Sequence, residues 1–123
     1  MACGVFVNHT NHASENWDRE QRQAAEAYGA IFDLPFPDIS PTASRSDVAD
    51  LAKRQAEKIL ALNPAAVLCQ GEFTYTYALT KLLAERRVPV LAATSRRVTE
   101  ETVSPDGARR KVSLFRFVQF RQY

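Results

Sequence analysis

Residues 63–97, "NPAAVLCQGEFTYTYALTKLLAERRVPVLAATSRR", decide the fold. "AAVLCQG" (65–71) is a continuous apolar run that ends at a glycine, and such runs are typical of strands buried inside parallel sheets. "EFTYTYALTKLLAERR" (72–87) predicts a helix, and "VPVLAATSRR" (88–97) predicts a strand that is apolar as far as Ala93. Strand, helix and strand in this order indicate two parallel strands joined by a right-handed crossover.

The same alternation extends toward the N-terminus. "GVFVN" (4–8) predicts a first strand, and "ASENWDREQRQAAEAYG" (13–29) predicts a helix. Asn16 is the expected N-cap of this helix, because its side chain can accept a hydrogen bond from an unpaired backbone N–H. Gly29 is the expected stop, because glycine commonly follows the C-terminus of a helix.

A second strand and a second helix follow along the chain. "AIFDLPFP" (30–37) predicts a short strand, which its prolines end or confine to a sheet edge. Ser44 or Ser46 is the expected cap of the helix "DVADLAKRQAEKILALN" (47–63), whose apolar residues recur at helical spacing. Pro64 stops this helix, because the residue before a proline disfavours helical geometry.

The C-terminal part has the pattern of a β-hairpin. "VTEETV" (98–103) and "RKVSLFRFVQF" (110–120) flank "SPDG" (104–107), and Pro-Asp-Gly is typical of turns. The second strand can continue along the sheet to Tyr123. We therefore predict one α/β domain over residues 1–123: a Rossmann-like, three-layer β-α-β-α-β-α-β fold with a mainly parallel sheet and a C-terminal hairpin.

The composition limits the possible functions. Of the 123 residues, 46% are apolar and 24% are charged, as in an ordinary globular domain with a real core. No run approaches the roughly 18 apolar residues of a membrane helix. The N-terminus lacks the pattern of a signal peptide, so we expect a cytoplasmic protein with no membrane partner. The net charge of +2 argues against binding of long DNA or RNA but permits a small anionic ligand.

The two cysteines, Cys3 and Cys69, lie beside or inside predicted buried strands. A disulfide is not expected in the cytosol, so both are interpreted as small buried hydrophobic residues. Neither stands beside a histidine in the sequence, which leaves no evident cysteine nucleophile.

Three polar clusters follow apolar strands, where each strand leaves the core. They are "NHTNH" (8–12), "QGEFTYT" (70–76) and "TSRR" (94–97). Ligands of parallel α/β sheets bind beyond the carboxyl ends of the strands. We therefore expect the three clusters to meet at one ligand site.

In the second cluster, Gly71 permits a tight turn into a helix, whose start presents N–H groups suited to a phosphate. Thr74 adds a hydroxyl, Phe73 adds a ring on which a base can stack, and Gln70 and Glu72 flank the turn. The alternative is an ordinary strand-to-helix turn with its aromatic residues in the core. No GxGxxG fingerprint and no P-loop lysine is present, so dinucleotide and P-loop binding are not supported.

In the third cluster, Arg96 offers a planar fork of donors suited to phosphate oxygens, and Ser95 can donate one more hydrogen bond. Only one of two adjacent arginines can easily face the site, and Arg96 is preferred over Arg97. The alternative is a solvated basic loop.

The first cluster holds both histidines of the chain, His9 and His12. Either can act as a general acid or base or stabilise a developing negative charge, while Asn8, Thr10 and Asn11 can bind a ribose or a phosphate. A metal site would need a third protein ligand. The glutamate of the second cluster could serve, but the spacing matches no recognised zinc pattern, so neither metal nor cofactor is predicted. The alternative is a loop whose amides and hydroxyl satisfy the backbone while the histidines are exposed.

This set of side chains suits metal-independent cleavage of RNA. The ribose 2′-OH is an internal nucleophile, so the enzyme needs chiefly to align it with the phosphorus. Donors at the phosphate then stabilise the developing charge. The products would be a 2′,3′-cyclic phosphate and a 5′-hydroxyl. From the residues alone, inference stops at a Rossmann-like domain that binds a phosphorylated small ligand.

Four segments resemble the small CRISPR-associated proteins of the Csx type: "VFVNHTNHASENWDREQRQAAEAYG" (5–29), "DLPFP" (33–37), "ILALNPAAVLCQGEFTYTYALTKLL" (59–83) and "KVSLFRFVQFRQY" (111–123). These proteins have one Rossmann-like domain related to the CARF domain. Several such families are ring nucleases, which are homodimers that bind cyclic oligoadenylate, usually the tetra-adenylate, across a two-fold axis. They cut the ring without metal and so switch off type III CRISPR signalling.

The resemblance implies a dimeric ring nuclease, with His9 or His12 as acid, base or charge stabiliser and with Arg96 and the Gly71 backbone on the phosphate. One alternative is a sensor or sponge that binds the ring without cutting it. Another is a nucleotide hydrolase or transferase on the same fold, with Glu72 as the base. The C-terminal strand is apolar on both faces, so we expect it to be buried at the sheet and at a two-fold interface.

Overall fold

The sheet of the computed structural model, which describes residues 4–123, has five strands: β1 (Val5–His9), β2 (Ile31–Asp33), β3 (Pro64–Cys69), β4 (Val90–Val103) and β5 (Arg109–Gln122). Their order is β2-β1-β3-β4-β5. The first four strands in that order are parallel, and β5 runs antiparallel to β4. The predicted α/β class, with a mainly parallel sheet and a C-terminal hairpin, is therefore confirmed.

Within the described residues 4–123, three α-helices cover the two faces of the sheet: α1 (Arg19–Glu26), α2 (Arg45–Ala61) and α3 (Phe73–Glu85). Successive strand residues point to opposite faces, so Val7 and Val67 pack with α2 and α3, whereas Phe6 and Leu68 pack on the side of α1. All four side chains are buried, which confirms the predicted three layers. No helix among residues 4–123 has the length and apolar character needed to cross a membrane.

The predicted limits of α1 are wrong at both ends. Its N-cap is Asp18, whose carboxylate accepts a backbone hydrogen bond at 2.9 Å and whose charge favours the positive end of the helix dipole. The predicted cap, Asn16, instead ends a short 3-10 turn over Ser14–Asn16. The helix also ends before Gly29, which lies so close to the first strand that a Cβ there would be 2.0 Å from the carbonyl oxygen of Gly4.

The N-cap of α2 is Ser44, one of its two predicted caps. The Ser44 hydroxyl accepts from the N–H of Asp47 at 3.0 Å, and the Asp47 carboxylate accepts from the N–H of Ser44 at 3.1 Å, which is a capping box. Asn63 follows the helix with a φ of 54°, a left-handed conformation that asparagine tolerates. β2 covers only part of the predicted range 30–37, because the prolines that follow it have no N–H for a strand ladder.

The two cysteines were both predicted to be small buried residues. Cys69 is fully buried, and burial raises its pKa to about 12, so it is a thiol at neutral pH. Cys3 lies outside the described residues.

The largest departure from the sequence prediction is in β4. The predicted strands 88–97 and 98–103 form one continuous strand, of which only Val90 and Leu91 pair with β3. Beyond Leu91, β4 pairs with β5 alone. The run of apolar residues in the sequence ends near Ala93. The strand continues beyond it because its backbone is hydrogen-bonded to β5, although its side chains are largely not buried. We call this two-stranded segment, residues 94–118, the arm.

A β-bulge lies where the arm leaves the sheet. Between the cross-strand pairs Thr94–Gln119 and Ser95–Phe117, Val118 has no partner on β4. An extra residue of this kind bends its strand and increases the local twist. Close to the bulge, the N–H of Phe117 donates to the N-cap carboxylate of α1 at 3.5 Å, so the base of the arm lies against the start of that helix.

Candidate ligand-binding cleft

The sheet has a topological switch point between β1 and β3. The two strands are parallel neighbours, with Phe6 beside Ala66 and Asn8 beside Leu68, but the chain leaves β1 toward α1 and leaves β3 toward α3, on opposite faces. Such divergence opens a crevice beyond the carboxyl ends of the strands, where α/β proteins bind ligands. A cleft of about 610 Å³ lies there.

All three polar clusters singled out from the sequence contribute to this cleft, together with the start of α1 and the arm. The lining residues are Thr10, Asn11, His12, Asn16, Trp17, Asp18, Gln21, Leu68, Gln70, Gly71, Ala93, Ser95, Phe115 and Phe117. Six of the residues expected at the site from the sequence do not line it, and each has a physical reason: Asn8, His9, Glu72, Phe73, Thr74 and Arg96.

A polar network fixes the loop after β1. Asn8 is buried, and its Nδ2 donates to the carbonyl oxygen of His12 at 2.9 Å and to the carboxylate of Asp33 at 2.8 Å. Its Oδ1 accepts from the hydroxyl of Thr10 at 2.8 Å. Asp33 also accepts from the N–H and the hydroxyl of Ser14, at the far end of the loop. Asn8 therefore positions the loop, and its side chain is fully engaged by protein groups.

His9 is buried on the side of the sheet opposite the cleft, with 0% of its surface exposed, and it packs beside the rings of Phe36 and Tyr75. Its Nδ1 lies 2.8 Å from the carbonyl oxygen of Leu34, which can only accept, so Nδ1 carries the proton. Its Nε2 then accepts from the hydroxyl of Tyr75 at 2.7 Å. Burial lowers the pKa of His9, which keeps the ring neutral, and neither nitrogen is left for a ligand in the cleft.

His12 is the histidine that lines the cleft. Its side chain is exposed, while its backbone is held on both sides by the polar network. The N–H of His12 donates to the Thr10 hydroxyl oxygen at 3.1 Å, and its carbonyl oxygen accepts from Asn8. The loop therefore presents an imidazole to the cleft from a fixed backbone, with the exposed Asn11 beside it.

Two residues shape the turn after β3: Gln70 through its amide side chain, and Gly71 because it has no side chain. Gln70 continues the sheet beyond β3, since its Oε1 accepts from the N–H of Ala93 at 2.9 Å and its Nε2 donates to the carbonyl of the same residue at 3.4 Å. Gly71 leaves room for the ring of Phe36, because a Cβ at this position would lie 2.3 Å from that ring. Packing therefore accounts for the glycine without any ligand.

The start of α3, where the sequence predicted a phosphate, is capped by the protein itself. Glu72 is the N-cap, and its carboxylate accepts from the Thr74 hydroxyl and, at 2.8 Å, from the N–H of Tyr75. The Thr74 bond first, and then the Tyr75 bond, lower the pKa of Glu72. An ionised carboxylate at this position opposes the approach of an anion. Phe73 and Thr74 line other cavities instead of the cleft.

The arm closes one side of the cleft. Phe115 and Phe117 of β5 line it together with Ser95 of β4. Side chains alternate along a strand, so Arg97 lies on the same side as Ser95, where it donates to a serine hydroxyl across the arm. Arg96 lies on the opposite side of the arm, which explains its absence from the cleft.

A protein-family model matches residues 4–121, a range that contains every residue of the cleft, and its description is "Uncharacterized protein MJ1673 family". The chain belongs to this family. No curated protein and no solved structure gives a significant match.

The cleft of this MJ1673-family protein also contains residues that sequence reasoning missed. Asn16, Trp17 and Gln21 lie in the range 13–29, which the sequence predicts only as a helix. Phe115 and Phe117 lie in the C-terminal strand, which is expected only at the sheet and an interface. One signal could have found the first group, because the helix that follows a switch-point strand begins at the ligand crevice. The two phenylalanines needed knowledge of the bulge, which is not visible in the sequence pattern.

The side chains in the cleft of this MJ1673-family protein favour a nucleotide-like ligand. The amides of Asn11, Asn16 and Gln21 can pair with base edges or ribose hydroxyls, and Trp17 and Phe115 offer ring faces for stacking. Among residues 4–123, no arginine or lysine lines the cleft, and no group of three or more His, Cys, Asp or Glu side chains could hold a metal ion.

Proposed function

We propose that this protein is a ring nuclease, which binds cyclic oligoadenylate, most simply the tetra-adenylate, and cleaves it without a metal. The observation that carries the proposal is the switch-point cleft, in which His12 lies among amide side chains and aromatic rings. The resemblance to small CRISPR-associated proteins of the Csx type supports the same ligand. In this role the protein acts in the cytoplasm and switches off type III CRISPR signalling.

In the proposed reaction an adenine stacks on Trp17 or Phe115, and the amides of Asn11 and Gln21 hold the ribose or the base edge. The ribose 2′-oxygen attacks the adjacent phosphorus, and the bond to the 5′-oxygen breaks. His12 accepts the 2′-proton while water protonates the leaving 5′-oxygen, or protonated His12 donates to the 5′-oxygen while water takes the 2′-proton. Alignment of the 2′-oxygen with the phosphorus supplies much of the rate. The products are a 2′,3′-cyclic phosphate and a 5′-hydroxyl.

The proposed active form is a homodimer. β5 is an edge strand, and its exposed apolar residues include Val112, Phe115 and Val118. A long apolar edge strand is usually paired or covered, and a second copy of β5 can pair with it about a two-fold axis, which would let two clefts share one ring. Light scattering at micromolar concentration should give twice the chain mass, and a monomer would contradict this part of the proposal.

Cleavage is tested by incubating the purified protein with cyclic tetra-adenylate and EDTA and separating the products by chromatography. The wild type should give linear oligoadenylate with a 2′,3′-cyclic phosphate. His12→Ala should lose roughly 10²- to 10⁴-fold in cleavage rate while it binds the ring within a few-fold of the wild type. Glu57→Ala, an exposed change on α2 outside the cleft, is the matched control and should cleave normally.

Binding without cleavage is the second candidate function. Two observations favour it: no cationic side chain among residues 4–123 lines the cleft, and only one of the two histidines reaches it. Tight binding of the ring, with no linear product after hours at excess protein, would support a sensor or sponge and would contradict the nuclease. A hydrolase with Glu72 as its base has less support, because that carboxylate caps α3.

A further inference from the structure

A second cavity lies on the other side of the turn after β3. Its volume is about 500 Å³, and it shares Gln70 and Gly71 with the cleft. Three aromatic rings border it, from Phe73, Tyr77 and Tyr123, and they are 89%, 68% and 57% exposed. Single apolar residues on a surface are ordinary, but three rings around one cavity form a platform on which bases can stack.

A row of arginines extends from this cavity along the adjoining face of β4 and β5. Tyr123 directly follows β5, and its N–H still donates to the carbonyl oxygen of Val90 on β4 at 3.0 Å. It lies two residues from Arg121, so the two side chains point to the same side. Arg121 pairs with Ala92, and two residues further along β4 the cross-strand pair is Thr94 with a glutamine. The next pair on this side is Arg96 with Arg116. All three arginines are exposed, and we call them the arginine face.

The pairing of Arg96 with Arg116 is the observation that points to a ligand. Like charges directly opposite each other on adjacent strands are destabilising. Among residues 4–123, Glu100 forms a salt bridge with Arg116 at 3.5 Å, whereas Arg96 and Arg121 form none. A phosphate between Arg96 and Arg116 would offset their repulsion and accept hydrogen bonds from both guanidinium groups.

We propose that the aromatic cavity and the arginine face together bind a short single-stranded nucleic acid. One base stacks on the rings of Phe73, Tyr77 and Tyr123, and the neighbouring phosphates lie along the three arginines. The distance from Tyr123 to Arg116 along β5 is roughly 20 Å, which suits a few nucleotides. This surface meets the proposed ring-cleaving cleft only at Gln70 and Gly71 and lacks His12, so it does not rest on the cleavage proposal.

The low net charge of +2 is compatible with this surface. It argues against long stretches of nucleic acid, whose binding needs many cations, and the arginine face can contact only a few phosphates. On this face Glu100 pairs with Arg116, while Arg96 and Arg121 form no salt bridge among residues 4–123. The proposal therefore concerns oligonucleotides of a few residues.

The test is fluorescence anisotropy with labelled eight-nucleotide RNA and DNA of the same sequence, at low salt and with the full-length protein. Arg96→Ala combined with Arg121→Ala should weaken binding roughly tenfold or more and reduce the salt dependence by about one unit of slope for each arginine. Phe73→Ala should also weaken binding roughly tenfold, through loss of stacking. Comparison of the RNA and DNA titrations shows which of the two the surface prefers, and binding of either supports the proposal.

Arg97→Ala is the matched control, because it removes the same charge from the next residue on the opposite side of the arm. All substituted residues are exposed, and circular dichroism and thermal unfolding should show that each variant is folded. Three outcomes overturn the proposal: no binding of either oligonucleotide by the wild type, equal weakening by Arg97→Ala and Arg96→Ala, or unchanged binding in Phe73→Ala. His12→Ala should bind the oligonucleotides normally, which keeps this result independent of ring cleavage.

Discussion

His9, at the end of β1, and His12, in the loop that follows it, lie three residues apart and have opposite environments. His9 is the last residue of β1, fully buried, with both ring nitrogens hydrogen-bonded inside the protein. His12 is exposed and lines the cleft, and only its backbone is held by the network around Asn8. The difference shows that the face of the sheet on which a histidine lies decides whether its ring is buried or available to a ligand.

The strongest way to test this comparison is to truncate each histidine in turn. His9→Ala should lower the free energy of unfolding by about 3 kcal/mol, because it removes a buried ring, leaves a cavity and strands the hydroxyl of Tyr75. His12→Ala should change it by less than about 0.5 kcal/mol, as exposed substitutions usually do. Urea unfolding followed by circular dichroism measures both.

His9→Gln is the informative second variant, since an amide can keep one of the two hydrogen bonds and should recover part of the lost stability. Two results would break the comparison: equal destabilisation by His9→Ala and His12→Ala, or a His9→Ala protein that unfolds like the wild type.

The fold was largely predictable because its signals are local. The apolar run before Gly71, the capping box at Ser44 and the turn residues after Val103 each act within a few residues of sequence. The continuity of β4 was not predictable in the same way. Its outer part is exposed and is stabilised by pairing with β5, so the hydrophobic pattern that reveals buried strands carries no signal there.

The position of the candidate site in the fold was predictable from the sequence, but the side chains that line it were not. The rule that ligands bind beyond parallel strand ends places Thr10, Gln70 and Ser95 at one site from the sequence alone. The direction in which each side chain points depends on tertiary packing and on local irregularities of the strands. His9 packs inward against an aromatic pair, and a bulge at Val118 lies beside the phenylalanines that reach the cleft.

A smaller loss of stability is expected from substitution of Asp33, which connects the end of β1 to the far end of the loop that carries His12. Its carboxylate accepts from Asn8 and from both donors of Ser14, so Asp33→Ala should lower the free energy of unfolding by about 1 kcal/mol. The loop that carries His12 should also become less ordered, and affinity for a cleft ligand should fall severalfold. Paired urea titrations and ligand-binding isotherms measure the two effects.

Asp38→Ala is the matched control for Asp33→Ala, because Asp38 is also an exposed aspartate and lies outside this network. It should leave both stability and affinity near the wild-type values. If both aspartate variants behave alike, the hydrogen bonds of Asp33 do not hold the loop. The proposed connection between the buried network around Asn8 and the position of His12 would then be wrong.

The last expected effect is a pH dependence of stability that comes from His9 between about pH 7 and about pH 5.5. Burial lowers its pKa below the ordinary value of 6.5, so the unfolded chain binds a proton that the folded protein does not. Stability should therefore be fully present above pH 6.5 and should fall as the pH decreases below it, with a slope of at most about 1.4 kcal/mol per pH unit. The loss ends once the pH passes the lower pKa of the folded state.

The carboxylates with lowered pKa, Glu72 and Asp106, add a loss of the same sign, but theirs begins only near their ordinary values of 4.5 and 3.8. Urea titrations between about pH 7 and about pH 5.5 therefore isolate the histidine. His12→Ala should keep the slope, and His9→Gln should lose it. If the slope survives in His9→Gln, the proton is taken up elsewhere, and the neutral, doubly hydrogen-bonded state assigned to His9 is wrong.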